Sequence, residues 1–398
     1  MRSFRLDPDD IVLGSVLRRA LPYLLSERDL RYDTDRPAAM NDLVFGEVLD
    51  ARGRAFLERV YPAGDGVKVR NDTIAPRPCV AVVGNRYAPP RLIGGLTNPL
   101  TGRPNGQITG GAVVDCLFGV NAIGFVNHEA MPEERVRIRV HGVMVDGRGR
   151  SLNLLAFRER FSKDQAEPGP EPHLIAVAGY STDAGKTTCA WALVSHLQKH
   201  GFTVTVEKKT GTACCRDWLR CYAEPHLGAL EHNGDEVIFS PDRFPARDFV
   251  DGVGVASDVS VDVPKFIRTS VPYTRGFLRH RRPDFHVIEL ADSIAHVSNA
   301  GLLRSEYFRR HLRTLVYVSI PTYEAVGHFW AFLRGLGYHR TQVLLSGRLA
   351  NEAQYEMARE EIAARLGLPI CRSAVQDSDR WIPEGSQLAS AVLKESHH

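Results

Sequence analysis

The sequence predicts an α/β protein: a β-rich N-terminal domain followed by a mostly parallel sheet flanked by helices. Three observations predict it. Apolar runs alternate with helical patterns after residue 173, whereas short apolar runs separated by Gly, Pro and Asn fill residues 39–165. Between them lies a Pro- and acid-rich stretch, AEPGPEP. Strand–helix alternation implies a parallel sheet covered on both faces, and clustered short strands imply an antiparallel β domain.

In chain order, residues 1–38 read as an N-terminal helical arm. Asp9 or Asp10 would cap a helix through Ile11, Val12, Leu13, Val16 and Leu17, which Pro22 would break or kink. Over 39–165, DLVFGEVL, RAFLERVY, GVKV, PCVAVVG, GAVVDCLFG and RVRIRVHGVMV read as strands of a barrel or sandwich. Asn85-Arg86-Tyr87 is a polar cluster at a strand end, or simply a hairpin turn. Residues 166–172 are the linker. In 173–398 the expected strands are Leu174–Ala178, Thr203–Glu207, Phe285–Leu290, Thr314–Ile320, Gln342–Leu345 and Leu368–Ile370. Helices are expected over Lys186–His200, ended by Gly201, over Tyr323–Leu336 and over Asn351–Leu366.

Composition narrows the function classes. The chain has 398 residues, 43% hydrophobic and 24% charged, enough for two cores. A net charge of +3, with Lys and Arg scattered among acids, argues against a nucleic-acid partner. No run approaches the ~18–20 apolar residues of a membrane helix. MRSFRLDPDD lacks a signal-peptide core, and seven cysteines, an odd number, argue for a reducing compartment; a cytoplasmic location is expected.

The chemistry centres on Ile175 to Thr188, IAVAGYSTDAGKTT. An apolar strand, a Gly-rich turn ending Gly185-Lys186-Thr187 and a helix form the context in which a phosphate-binding loop, or P-loop, is credible. Unpaired N–H groups and the positive dipole end of the helix face the anion. Lys186 reaches the terminal phosphates and the Thr187 hydroxyl can ligate Mg²⁺. Gly179, Ser181, Thr182, Asp183, Ala184, Gly185, Lys186, Thr187 and Thr188 are the expected nucleotide-binding residues. Five residues, rather than the common four, separate Gly179 from the Gly-Lys pair.

In this spacing the loop resembles those of dethiobiotin synthetase and the cobyrinic acid amide synthetases, in the SIMIBI class of P-loop proteins. The resemblance covers about residues 174–372. It implies that Thr182 and Asp183 face substrate and nucleotide, that Lys208-Lys209 supplies a catalytic lysine, and that Glu289 in FHVIEL is a Mg²⁺ ligand. It also implies ATP as the nucleotide and pairing of two subunits across the loop face. A Gly-Ala-Gly-Gly run expected after the Glu is replaced by Leu290-Ala291-Asp292-Ser293, and a base-reading Asn by Ser346-Gly347-Arg348. Asp217, Asp235, Asp258 and Asp262 compete as a second Mg²⁺ ligand.

Two further clusters have dual readings. Cys214, Cys215, Cys221, His226 and His232 offer thiolate and imidazole for a soft metal, but fit no standard finger spacing, and buried or free thiols are the favoured reading. Arg275, Arg279 and His280 suit either carboxylate or phosphate recognition or a surface loop. Three outcomes follow. The first is ATP- and Mg²⁺-dependent γ-phosphoryl transfer to a small molecule carrying a carboxylate or hydroxyl, as ligase or kinase, with Lys186, Lys208, Lys209 and Asp183 catalytic. The second is a nucleotide-gated switch or metal-insertion NTPase using Cys214, Cys215 and Cys221; the third is a non-catalytic nucleotide sensor.

Overall fold

The computed structural model describes residues 1–4, 11–12, 30–39, 42–52, 68–69, 77–82, 92–93, 96–97, 108–117, 123–124, 135–153, 170–181, 184–210, 232–233, 236–238, 249–251, 263–319, 322–338, 341–345, 352–367, 370–372, 374–377, 380–383, 390 and 392–393. The chain divides into two compact units. One comprises 1–163, 212–246 and 253–260; the other comprises 164–211, 247–252 and 261–398. The chain thus leaves the second unit twice, where the sequence suggested one uninterrupted domain from 173 onward.

The first unit contains β1 (Arg2–Ser3), β2 (Ile11–Val12), β3 (Arg31–Asp33), β4 (Leu43–Arg52), β5 (Lys68–Val69), β6 (Arg77–Val82), β7 (Leu92–Ile93), β8 (Leu96–Thr97), β9 (Val113–Leu117), β10 (Ile123–Gly124) and β11 (Arg135–Val145). An eight-stranded sheet runs β1-β3-β11-β4-β6-β2, with β9 joined to β11 and β10 to β9. The alternation in RVRIRV explains β11. Ile138 and Val140 are buried, while Arg139 turns outward to Glu47 at 2.7 Å. A smaller sheet pairs β5 with β15 (Glu236–Ile238), which pairs with β14 (His232–Asn233). Ile11 and Val12 correct the expected helical arm: they pair in parallel with Cys79 and Val80 of β6. Both are β-branched, and tertiary pairing outweighs the capping signal of the preceding aspartates.

The second unit is a seven-stranded, wholly parallel sheet. Its strands are β12 (His173–Gly179), β13 (Val204–Lys208), β16 (Phe249–Asp251), β17 (Phe285–Glu289), β18 (Leu312–Ser319), β19 (Thr341–Leu345) and β20 (Ile370–Arg372). Their order is β16-β13-β17-β12-β18-β19-β20, so β12, which leads into the Gly-rich loop, is central. A hairpin, β21 (Ala374–Asp377) and β22 (Arg380–Pro383), follows. The helices are α1 (Lys186–Lys199), α2 (Val263–Arg281), α3 (Val297–Arg304), α4 (Glu306–His311), α5 (Tyr323–Gly335) and α6 (Glu352–Leu366). Ala176, Ala178, Ile288, Leu315, Tyr317, Val326 and Phe329 belong to one core cluster, in which the Tyr317 and Phe329 rings stack at 3.6 Å. Among the described residues no helix is long and apolar enough to cross a membrane.

Helix α2 is absent from the sequence-based expectation, and its buried face shows why. Phe266, Ser270, Thr274 and Leu278 form its inward stripe at i, i+4 spacing, so the two central positions are hydroxyls. Pro272 lies inside the helix on its exposed side. Arg275, Arg279 and His280 therefore sit on a helix and not on a surface loop.

Candidate functional site

Strand β12 ends at Gly179 and α1 begins at Lys186, so the Gly-rich loop crowns the centre of the sheet. Gly185 caps α1 with φ 92°, a left-handed conformation that costs an L side chain energy. Gly179 is needed for space: a Cβ there would lie 2.8 Å from both Cγ and Cδ of Lys186, and 3.2 Å from Val318 O. The lysine stem is laid across that glycine. Its ammonium donates to Ser181 O at 2.5 Å, and the side chain is largely buried. Ala184 is buried beneath the loop. Thr182 and Asp183 lie outside the described residues, as does the side chain of Thr188.

A Gly179→Ala substitution would push the Lys186 stem off its track. The expected result is ~10-fold weaker nucleotide binding with ~1–3 kcal/mol lost stability, read by calorimetric titration and thermal melts.

Thr187, one residue into α1, donates from Oγ1 to Glu289 Oε1 at 2.8 Å. Lys208 Nζ lies 3.2 Å from the same oxygen. Lys208 and Glu289 are register partners on adjacent parallel strands, so their side chains project from one face of the sheet, the face against which α1 packs. Glu289 Oε2 is buried and has no hydrogen-bond partner among the described residues. An orphaned buried carboxylate oxygen beside a threonine hydroxyl is a hard-oxygen pair that fits Mg²⁺, which takes one or two protein oxygens and completes its shell with water and phosphate.

Lys209 is placed elsewhere, and this corrects the expectation that either lysine serves the loop. Successive strand residues point to opposite faces. Lys209 therefore enters the α2 side, where its Nζ bonds Glu207 Oε1 at 3.0 Å, Ser270 O at 2.8 Å and Thr274 Oγ1. Thr274 Oγ1 also bonds both Glu207 oxygens, and His286 Nε2 meets Glu207 Oε2 at 3.1 Å. Glu207, Lys209 and His286 are fully buried. Burial alone would raise the Glu207 carboxyl, but Lys209 and His286 outweigh it and bring it to about 2.

The turn after β17 carries residues that sequence reasoning missed. Asn299 Nδ2 donates to Ala291 O (2.5 Å) and Ser293 O (2.9 Å), and its Oδ1 accepts from Thr210 Oγ1 at 2.6 Å. Thr210 Oγ1 in turn accepts from Ala291 N at 2.9 Å. Between these ties Asp292 takes φ 58°, and Ile294 N donates to Gly179 O at 3.0 Å. One buried asparagine thus ties the segment after β13 to the turn after β17. No local signal marks it, because its partner Thr210 lies 89 residues away in the chain. Asn299→Ala would leave these buried groups without their partner and should cost ~1–3 kcal/mol. Faster amide exchange at 291–294 would accompany the lower melting temperature.

The central strand, Gly-rich loop, buried lysine and threonine-bound carboxylate on the neighbouring strand decide the architecture. The second unit has a P-loop fold.

No protein-family model and no curated protein matches the chain. Among solved structures, the chain is similar to a DUF1611 family protein from Anabaena variabilis, with TM-score 0.35 and 14% identity over 56% of this chain; it spans 58% of that protein's length. It is also similar to a nucleotide-binding protein from Archaeoglobus fulgidus in complex with ADP, with TM-score 0.33 and 14% identity over 57% of this chain and 89% of the other. A putative plasmid partition protein from Borrelia burgdorferi bound to AMPPNP gives TM-score 0.35 and 11% identity over 57% and 99%.

Of the remaining expected site residues, Cys214, Cys215, Cys221 and His226 lie outside the described residues, as do Asp217, Asp235, Asp258 and Asp262. His232 falls on β14 in the first unit. Arg275 is exposed on α2 and Arg279 half-buried.

Proposed function

We propose that the P-loop unit binds ATP with Mg²⁺ and transfers the γ-phosphoryl group to a small molecule carrying a carboxylate or hydroxyl. The product is either an acyl phosphate open to capture by a nucleophile or a stable phosphate ester. The observation that carries this reading is Glu289: one oxygen is shared by Thr187 and Lys208, and the other is buried with no partner among the described residues.

In this reading the amides at the start of α1 hold the phosphate oxygens. Lys186 exchanges the Ser181 carbonyl for the β- and γ-phosphates, and Lys208 neutralises charge on the phosphoryl group in transit. Thr187 and Glu289 would hold Mg²⁺, which would supply charge neutralisation and orient the phosphate oxygens. The resemblance of the loop makes Asp183 the residue expected to meet the incoming substrate. The two lysines divide: Lys208 is the catalytic member of the pair, and Lys209 is structural. A homodimer across the loop face and a cytoplasmic setting belong to the same reading. Sedimentation that gives a monomer both with and without ATP would remove the dimer.

The test is incubation of the full-length chain with ATP, Mg²⁺ and a panel of carboxylic acids and alcohols, scoring the nucleotide product. ADP that forms only in the presence of one acid or alcohol supports direct γ-phosphoryl transfer. AMP as product, or no consumption with any candidate, overturns it.

A further inference from the structure

We propose that His196 and His200, at the C-terminal end of α1, form a two-imidazole chelate for a divalent transition-metal ion, preferring copper(II) to zinc(II).

Residues four apart on a helix stand one above the other on the same face. Here the two rings lie with centroids 4.8 Å apart and their Nε2 atoms face each other at 3.1 Å. Imidazole nitrogens bind such ions at about 2.0–2.1 Å, which places two ligand nitrogens about 2.9 Å apart at a right angle and about 3.3 Å apart at a tetrahedral one. The observed separation, that of a ring-to-ring hydrogen bond, lies inside that window, so one ion can take the place of the proton shared by the two nitrogens.

The helix end is also fixed. Gly201 N donates to Gln198 O at 2.9 Å and Phe202 N to Leu197 O at 3.2 Å, the paired bonds of a Schellman stop. His200, the C-cap, donates its own N–H to His196 O and Leu197 O. The backbone of both ligands is therefore set before an ion arrives.

Electrostatics point the same way. The last turn of a helix presents carbonyl ends that favour a cation. Among the described residues no third His, Cys, Asp or Glu joins the pair. Imidazole ligands without thiolate suit copper, nickel and zinc, and the divalent order places copper first. The pair lies about 14–20 Å along α1 from Thr187, so this site is separate from the phosphate loop.

The experiment uses metal-stripped full-length protein, titrated separately with copper(II) and zinc(II) chloride in a non-chelating buffer without nucleotide. Calorimetry counts sites, and electron paramagnetic resonance of the copper form counts equatorial nitrogens. The parent should show a copper site with two nitrogen ligands, and zinc should bind the same site more weakly. His196→Ala and His200→Ala should each remove that site or weaken it by ~10-fold or more, because the second ligand acts intramolecularly. Circular dichroism of each variant confirms that the helix is intact. Unchanged stoichiometry and affinity in both variants would overturn the chelate. Loss in one variant alone would overturn it equally, by assigning the ion to a different partner.

Discussion

Lys186→Ala should abolish phosphoryl transfer and weaken ATP binding by ~100-fold or more. Removal of one preorganised donor aimed at developing charge costs on the order of 10²–10³ in rate at enzyme sites. Lys186 has the geometry for that role. Its stem crosses Gly179 with no room for a Cβ beneath it, and its ammonium rests on Ser181 O within the loop. The interaction with Ser181 is one that phosphate oxygens can replace without moving α1. Lys186→Arg should not restore turnover, because the planar fork cannot follow the same narrow track. Calorimetric titration with ATP and a coupled assay for ADP check both variants. Retained affinity and turnover in Lys186→Ala would remove the P-loop assignment.

Lys209→Met should destabilise the second unit by ~3–5 kcal/mol, without a direct effect on the phosphate loop. Breaking a buried ion pair by removing one partner leaves an uncompensated charge in a low-dielectric interior. Glu207 would retain Thr274 and His286 but lose the ammonium that does most to hold it ionised. Denaturant unfolding measures the loss. The double variant Lys209→Met/Glu207→Gln should recover part of it, because it removes both charges together.

The same pair predicts the acid limit. The Glu207 carboxyl titrates at about 2 in the folded protein, below its ordinary value of 4.5. A depressed folded value means that the stabilisation is fully present above the ordinary value and is lost as pH falls from 4.5 toward 2. Melting temperatures of the parent should fall through that window more steeply than those of Glu207→Gln. Equal slopes would show that Glu207 does not carry the acid sensitivity.

How much of this was legible depends on where each signal resides. The alternation in RVRIRVHGVMV specified β11 to the residue, and FHVIEL specified β17 with one residue of overrun. Both signals are local and periodic. Helix α2 was not legible, because the two middle positions of its buried stripe are Ser270 and Thr274. The Thr274 hydroxyl and the Ser270 carbonyl belong to the Lys209–Glu207 network and not to an apolar core. Asn299 was equally hidden: Thr210 is 89 residues away in the chain, and only the fold makes them neighbours.

The sequence by itself determined the strand, loop and helix of 173–201. An apolar run, glycines that admit close approach, a Lys-Thr pair and a terminating glycine are all read within one short segment. It also placed the Glu289 carboxylate within the last residues of a strand, Phe285–Leu290. Only the tertiary structure decided which of two adjacent lysines serves the site. Lys208 and Lys209 necessarily face opposite sides of the sheet, but which side is the functional one depends on where α1 packs. That packing brings Thr187 to Glu289 and Lys208, and leaves Lys209 to α2.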